Sequence, residues 1–193
     1  MNIGQYSFAE FRVLAEQFHG FAAPGLLIGG YMVELAKRNL PSGTLFEAVV
    51  ESGKCLPDAV QMLTLCSLGN GRLKVFELGR FGVAIFDKNT GEGIRVAIDV
   101  EKMRKWPEIY SWYFKAKAKQ EQDIARLNQE IEEAGDTYCK VEKIIIKPQF
   151  IGHHHKKSVR CCPSCGEAYP GEDGDVCRFC QGESPYASIA SLS

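Results

Sequence analysis

The sequence predicts an α+β domain followed by a small metal-clasping module, and three observations carry that expectation. Helical periodicities alternate with a β-meander through roughly the first 150 residues. Five of the eight cysteines, Cys161, Cys162, Cys165, Cys177 and Cys180, fall close together near the end of the chain. A composition of 45% apolar and 24% charged residues over 193 positions suffices for one full core and a small appendage. The expected division is residues 1–150 for the α+β domain and 151–193 for a linker and a four-cysteine module.

The elements follow from local signals. Ser7 with Glu10 three positions on is a capping box, and Phe8, Phe11, Leu14, Ala15 and Phe18 share one helical face that should end at Gly20. Pro24 suits the first turn of a second helix, reaching about Asn39. Leu45 to Val50 reads as a strand, and Leu56-Pro57-Asp58 opens a third helix ending near Leu65. A meander is expected over Leu73–Glu77, Gly82–Asp87 and Gly93–Ile98, with turns at Leu78-Gly79 and Asn89-Thr90-Gly91. Asp99 caps a short turn. Pro107 should then begin the longest helix, to Ala134, with a single gap in its apolar stripe at Gln120. About 27 residues at 1.5 Å each span ~40 Å, longer than such a domain is wide, so a homodimer is expected to cover the far half. Val141–Lys147 reads as a last strand, stopped by Pro148. Gly25, Gly29 and Gly30 read as close helix packing, because Pro24 removes an N–H that a phosphate loop needs and no Lys-Ser/Thr follows.

Charge and hydropathy exclude several classes. Lys and Arg total 23 against 24 Asp and Glu, a net charge of −1, which gives no reason to expect nucleic acid or an anionic membrane. No apolar run approaches the ~18 residues of a membrane span, and the start lacks a basic-then-apolar leader, so a cytoplasmic location is expected. Three adjacent histidines, His153, His154 and His155, cannot all face one ion and read as part of a solvated linker.

Cys162-Pro-Ser-Cys165-Gly and Cys177-Arg-Phe-Cys180-Gln-Gly are two CxxC knuckles. Two intervening residues let both thiolates of one turn face a single ion while backbone N–H groups donate to the sulfurs. Cys162, Cys165, Cys177 and Cys180 are therefore the expected ligands of a structural Zn2+, and Cys161 a bystander or an exchangeable thiol. The stretch CPSCGEAYPGEDGD also resembles a rubredoxin knuckle, so an iron electron carrier is the alternative. The spacing leaves room for a hairpin and a helix on Cys180, which resembles a treble-clef zinc finger. From Cys161 onward one base, Arg178, faces five acids, Glu167, Glu172, Asp173, Asp175 and Glu183. That acidic surface argues against a regulatory finger on DNA.

Three segments of the first domain resemble the FmdE family of formylmethanofuran dehydrogenase: Phe18–Gly29 (FHGFAAPGLLIG), Glu51–Thr64 (ESGKCLPDAVQMLT) and Cys66–Leu73 (CSLGNGRL), running into Gly79–Ala84 (GRFGVA). The resemblance implies a thioredoxin-like mixed sheet flanked by helices. It also implies a pocket where a His-Gly-His motif and a later cysteine can hold zinc, here at His19 and Cys55. Some members are encoded beside the molybdenum or tungsten enzyme that converts CO2 and methanofuran to formylmethanofuran, and some carry a Cys-rich zinc tail.

The sequence departs from that pattern in reading His19-Gly20-Phe21, which puts a phenyl ring in place of the second imidazole. Asp58, one helical turn after Cys55, is a candidate third ligand or a cap of its own helix. His19 is a metal ligand, a proton carrier or a partner of its helix's C-terminus. Cys55 is a ligand, a nucleophile favoured by a helix N-terminus, or a buried thiol. Cys66 and Cys139 read as core. The expected function is a zinc-binding accessory protein with a degenerate N-terminal ligand or metal pocket, associated with one-carbon metabolism and docking to a molybdenum or tungsten enzyme complex. No catalytic triad, Walker loop or molybdopterin signature points to the redox-catalytic subunit itself.

Overall fold

Ser7 starts the first helix as expected in a computed structural model of the chain, which describes residues 1–151 and 158–187. Ser7 Oγ accepts from the Glu10 N–H at 3.3 Å, and the Glu10 carboxylate accepts from the Ser7 N–H at 2.8 Å. This helix, α1 (Phe8–His19), closes at Gly20, whose φ of 89° only glycine adopts without strain. Pro24 opens α2 (Pro24–Arg38), in which ten of 15 residues are buried, because it runs through the middle of the domain rather than over its surface. Its glycines let neighbours approach. A Cβ on Gly29 would stand 3.1 Å from the Cβ of Ala59, and one on Gly30 would collide with the Phe11 ring at 2.6 Å.

The strands are β1 (Phe46–Val50), β2 (Leu73–Val75), β3 (Gly82–Asp87), β4 (Glu92–Ile98) and β5 (Cys139–Ile145). They form a mixed sheet in the order β2-β1-β3-β4-β5, with β1 parallel to β2 and every other pair antiparallel. α2 lies against β3 and β4 and packs with α1 and with α3 (Leu56–Leu63). One sheet face, with Ala48, Val50, Val83, Ile85, Ile94 and Val96, joins this helical core. The other face buries Val49, Ala84 and Phe86, and Phe150 packs edge-on against Phe76 there.

The long helix expected over 107–134 is corrected to two helices, α5 (Pro107–Tyr113) and α6 (Ile124–Ala134), following the short α4 (Val100–Met103). The chain leaves α5 at Phe114, and Lys115 takes a φ of 53° that no helix contains. The gap at Gln120 marks this break. Asp123 then caps α6, accepting from the Arg126 N–H at 3.0 Å. The fold-back is fixed by Glu130, a buried residue of α6 whose carboxylate accepts the N–H groups of Glu108 and Ile109 at 2.8 and 3.2 Å. It thus caps α5 from a different helix. Glu130→Ala should cost about 1–3 kcal/mol of stability, because two N–H groups lose their acceptor in a largely buried site, and urea midpoints would read it. With the helix broken, the length argument for a partner subunit falls away.

Two smaller corrections concern boundaries. β5 begins at Cys139, two residues before the expected start, which places that buried cysteine in the sheet. α3 ends at Leu63, where Thr64 turns extended and returns its hydroxyl to the Val60 carbonyl. Among the described residues no helix is long and apolar enough to cross a membrane. The chain divides into two compact units, Met1–Gly152 and His153–Ser193. His153, His154 and His155 lie outside the described residues.

Candidate metal centre and ligand pocket

The second unit is built around its first knuckle. β6 (Val159–Cys161) and β7 (Ala168–Pro170) pair on either side of it, with Arg160 opposite Tyr169. The hairpin therefore wraps the first knuckle instead of lying between the two. The helix expected on Cys180 is not among the described residues, which run as turns to Ala187. Gly166, at a φ of 80°, closes the first knuckle by donating its N–H to the Cys162 carbonyl at 2.8 Å. In the second, Gln181 donates to the Cys177 carbonyl, and Gly182 takes the left-handed φ of 95°.

The four sulfurs of Cys162, Cys165, Cys177 and Cys180 converge within 4.8 Å of one another. Sulfurs held ~2.3 Å from one tetrahedral ion stand ~3.8 Å apart. Two edges of the quartet measure 3.8 Å (Cys162 to Cys180) and 3.7 Å (Cys165 to Cys177), so the donor set fits a four-thiolate structural zinc. The backbone N–H of Cys177 reaches Cys162 Sγ at 3.4 Å, and such N–H groups pull that thiol down to about 6. Cys161 turns its thiol to the Gly166 carbonyl at 3.0 Å and stands outside the quartet.

The first unit brings His19, Asp58 and Cys55 to the same end of the helical layer. His19 ends α1, and its Nδ1 lies 2.6 Å from Asp58 Oδ2 in the first turn of α3. A carboxylate only accepts, so Nδ1 carries the proton and Nε2 is left for a ligand. Asp58 thus orients the His19 ring. The Phe21 ring lies 5.1 Å from the imidazole, centroid to centroid, and is 61% exposed. It lies beside the imidazole and offers no donor atom to a metal. Among the described residues only the tail quartet gathers three or more potential metal ligands so closely.

Cys55 is held in an unusual way. Its φ of 62° and ψ of −49° are rare for a side-chain-bearing residue, and the Leu56 N–H donates back to the Lys54 carbonyl at 2.7 Å across it. This is a tight γ-turn, a strained conformation that costs of order 1–3 kcal/mol. Gly25 of α2 makes room for it: a Cβ there would stand 3.0 Å from Cys55 Sγ and 3.5 Å from the Trp112 ring. The thiol is not activated by the helix start. Burial pushes it up, the Asp58 charge adds to that, and Lys54 and the Leu26 N–H only partly offset them. Sequence reasoning missed this turn, since a positive φ on cysteine has no sequence signature. It also missed Trp112 as a neighbour of the site.

An α+β domain with a strained cysteine beside a His–Asp pair, joined to a four-cysteine zinc finger, defines a narrow class. Residues 18–146 match the family described as "FmdE, Molybdenum formylmethanofuran dehydrogenase operon", and residues 153–187 match the "FmdE treble clef zinc finger". The chain belongs to the FmdE family. A crystal structure of a tungsten formylmethanofuran dehydrogenase FmdE-like protein from Syntrophus aciditrophicus is 50% identical. It superposes with a TM-score of 0.89 over 96% of this chain and 97% of that one. A probable S-adenosyl-L-methionine-binding protein from Archaeoglobus fulgidus is 29% identical over 196 residues, covering 91% of this chain and 53% of that protein. The chain thus spans about half the length of that curated relative.

Proposed function

We propose that this zinc-binding, FmdE-like protein is a cytoplasmic accessory subunit of one-carbon metabolism that docks to a molybdenum or tungsten enzyme. In this reading the tail zinc is structural, and the pocket at His19 and Cys55 receives a small ligand. The observation that carries it is the donor set of that pocket. With Phe21 in place of an imidazole and Asp58 committed to His19 Nδ1, the pocket keeps one nitrogen and one thiol, too few for a filled zinc site. His19 Nε2 then carries protons to and from the ligand, with Asp58 steadying the ring. Cys55 meets the ligand as a neutral thiol in a preset orientation. The division of labour is proposed as residues 1–150 for the pocket and 151–193 for the linker and finger.

Elemental analysis of anaerobically purified protein should find one zinc per chain. Cys55→Ser should leave that value unchanged, and Cys177→Ser should abolish it. Two equivalents that fall to one in Cys55→Ser would overturn the disarmed pocket, and iron in place of zinc would revive electron transfer. Co-elution with a molybdenum or tungsten formylmethanofuran dehydrogenase on size exclusion supports docking, and separate elution overturns it. The reading includes a homodimer, for which β5, an edge strand among the described residues with Val141 and Ile145 exposed, offers a pairing edge. Light scattering at twice the 21.5 kDa chain mass supports that, and a monomer overturns it.

A further inference from the structure

A cavity of about 530 Å³ opens where β3 begins and β4 ends, and neither His19, Asp58 nor Cys55 lines it. Arg80, Arg95 and Lys140 line it together with Phe81, Tyr113 and Glu142. Beneath Arg80 lies Glu51, a carboxylate only 7% exposed. Gly82 leaves space for it, since a Cβ there would meet Glu51 Oε2 at 2.8 Å.

The charges here are unequally committed. Arg95 is spent: its Nε and Nη2 donate to the two oxygens of Glu51 at 2.7 and 2.8 Å, and its Nη1 pairs with Glu142. Glu51 also takes Arg80 Nε at 3.0 Å. These donors, Arg95 first, hold its carboxyl below the usual range, so it stays ionised. Glu142 is held between Arg95 and Lys140, the latter at 2.9 Å. Arg80 is different. It is tethered by its inner nitrogen alone, and among the described residues neither terminal Nη group has a protein partner, while the side chain is 60% exposed. A guanidinium anchored in this way presents its outer fork to a planar or tetrahedral anion. Three cations against two carboxylates leave the cavity with one positive charge. Beside it, Phe81 and Tyr113 meet edge to face at 6.4 Å, a half-buried aromatic wall that the charged groups do not need.

We infer that this cavity binds a small organic anion in which a phosphate or carboxylate is joined to a flat ring, the acid group on Arg80 and Lys140 and the ring on Tyr113 and Phe81. The volume admits a molecule of aryl phosphate or mononucleotide size. The site goes beyond the proposed function and does not rest on it, because it shares no residue with His19, Asp58, Cys55 or the zinc quartet.

Calorimetric titration of the zinc-loaded full chain with phenyl phosphate, inorganic phosphate and phenol tests it. Phenyl phosphate should saturate and bind at least about tenfold more tightly than inorganic phosphate, with phenol weaker still. Arg80→Ala should weaken phenyl phosphate about tenfold or more, with Arg80→Lys intermediate because the charge survives and the fork does not. Tyr113→Leu should erase the preference for phenyl phosphate over inorganic phosphate while leaving the latter's affinity unchanged. Arg80 is largely exposed, so an unchanged zinc content and circular dichroism spectrum will show that its variants are folded. The inference is overturned if phenyl phosphate does not saturate, or if Arg80→Ala binds it as the parent chain does.

Discussion

Removing zinc with a strong chelator, or replacing Cys177 by Ser, unfolds the finger and leaves the sheet domain folded. The finger has almost nothing else to hold it. Among the described residues its buried set is Cys162, Tyr169 and Cys177, with Val176 and Cys180 packed against them, so three of these five core residues are the ligands themselves. Its two strands are three residues each. So small an apolar core cannot offset the entropy of ordering the chain, whereas a structural zinc contributes an apparent ~10–16 kcal/mol in finger peptides near neutral pH. The first unit keeps its own core around α2 and the sheet. Both tryptophans, Trp106 and Trp112, lie in that unit, so their emission reports on it alone. After chelation the emission should stay as it was, while protease sites within residues 158–187 become cleavable. A finger that resists protease without metal would sink the prediction, and a loss of tryptophan signal would show that the two units do not fold independently.

What was legible in the sequence was local. The knuckles were legible because an ion demands its four thiolates at short, fixed spacings, and the choice of Cys162 over Cys161 followed from the three-residue step to Cys165. The capping box at Ser7 and the glycine stop at Gly20 are equally local. The broken helix was not legible in the same way. Residues 107–134 keep helical periodicity on both sides of Gln120, and what folds them back is a carboxylate 22 residues from the N–H it caps. The pocket divides along the same line. His19, Cys55 and Phe21 stand out through motif resemblance, but the 39-residue separation of His19 and Asp58 hides their hydrogen bond. The strained turn at Cys55 is hidden too, because it is imposed by the packing of α3 on α2 at Gly25. The Glu51–Arg95 pair, on which the anion cavity is built, joins the residue after β1 to β4 across 44 residues and leaves no trace in hydropathy.

Arg95→Met should destabilise the first unit by about 3–5 kcal/mol at neutral pH, because it strands the buried Glu51 charge. Arg95 is the largest cause of the lowered Glu51 pKa, and Arg80, exposed and attached through one nitrogen, cannot replace a bidentate guanidinium. The pH dependence should change sign. In the parent chain folding lowers the pKa of Glu51, so its contribution is present above the ordinary carboxylate value and is lost as pH falls through the folded one. Without Arg95, burial dominates and raises the pKa of Glu51 above that of the unfolded chain. The penalty should then be largest at neutral pH and shrink as acid protonates the carboxyl. Glu51→Met combined with Arg95→Met removes both charges and should recover most of the loss, since an apolar pair of similar volume no longer leaves an unmatched ion. Urea midpoints of the parent chain and the two variants across pH 4–8 separate the possibilities. A double variant no more stable than Arg95→Met alone would mean that the pair contributes by packing, and that the charge on Glu51 is already met by Arg80 and solvent.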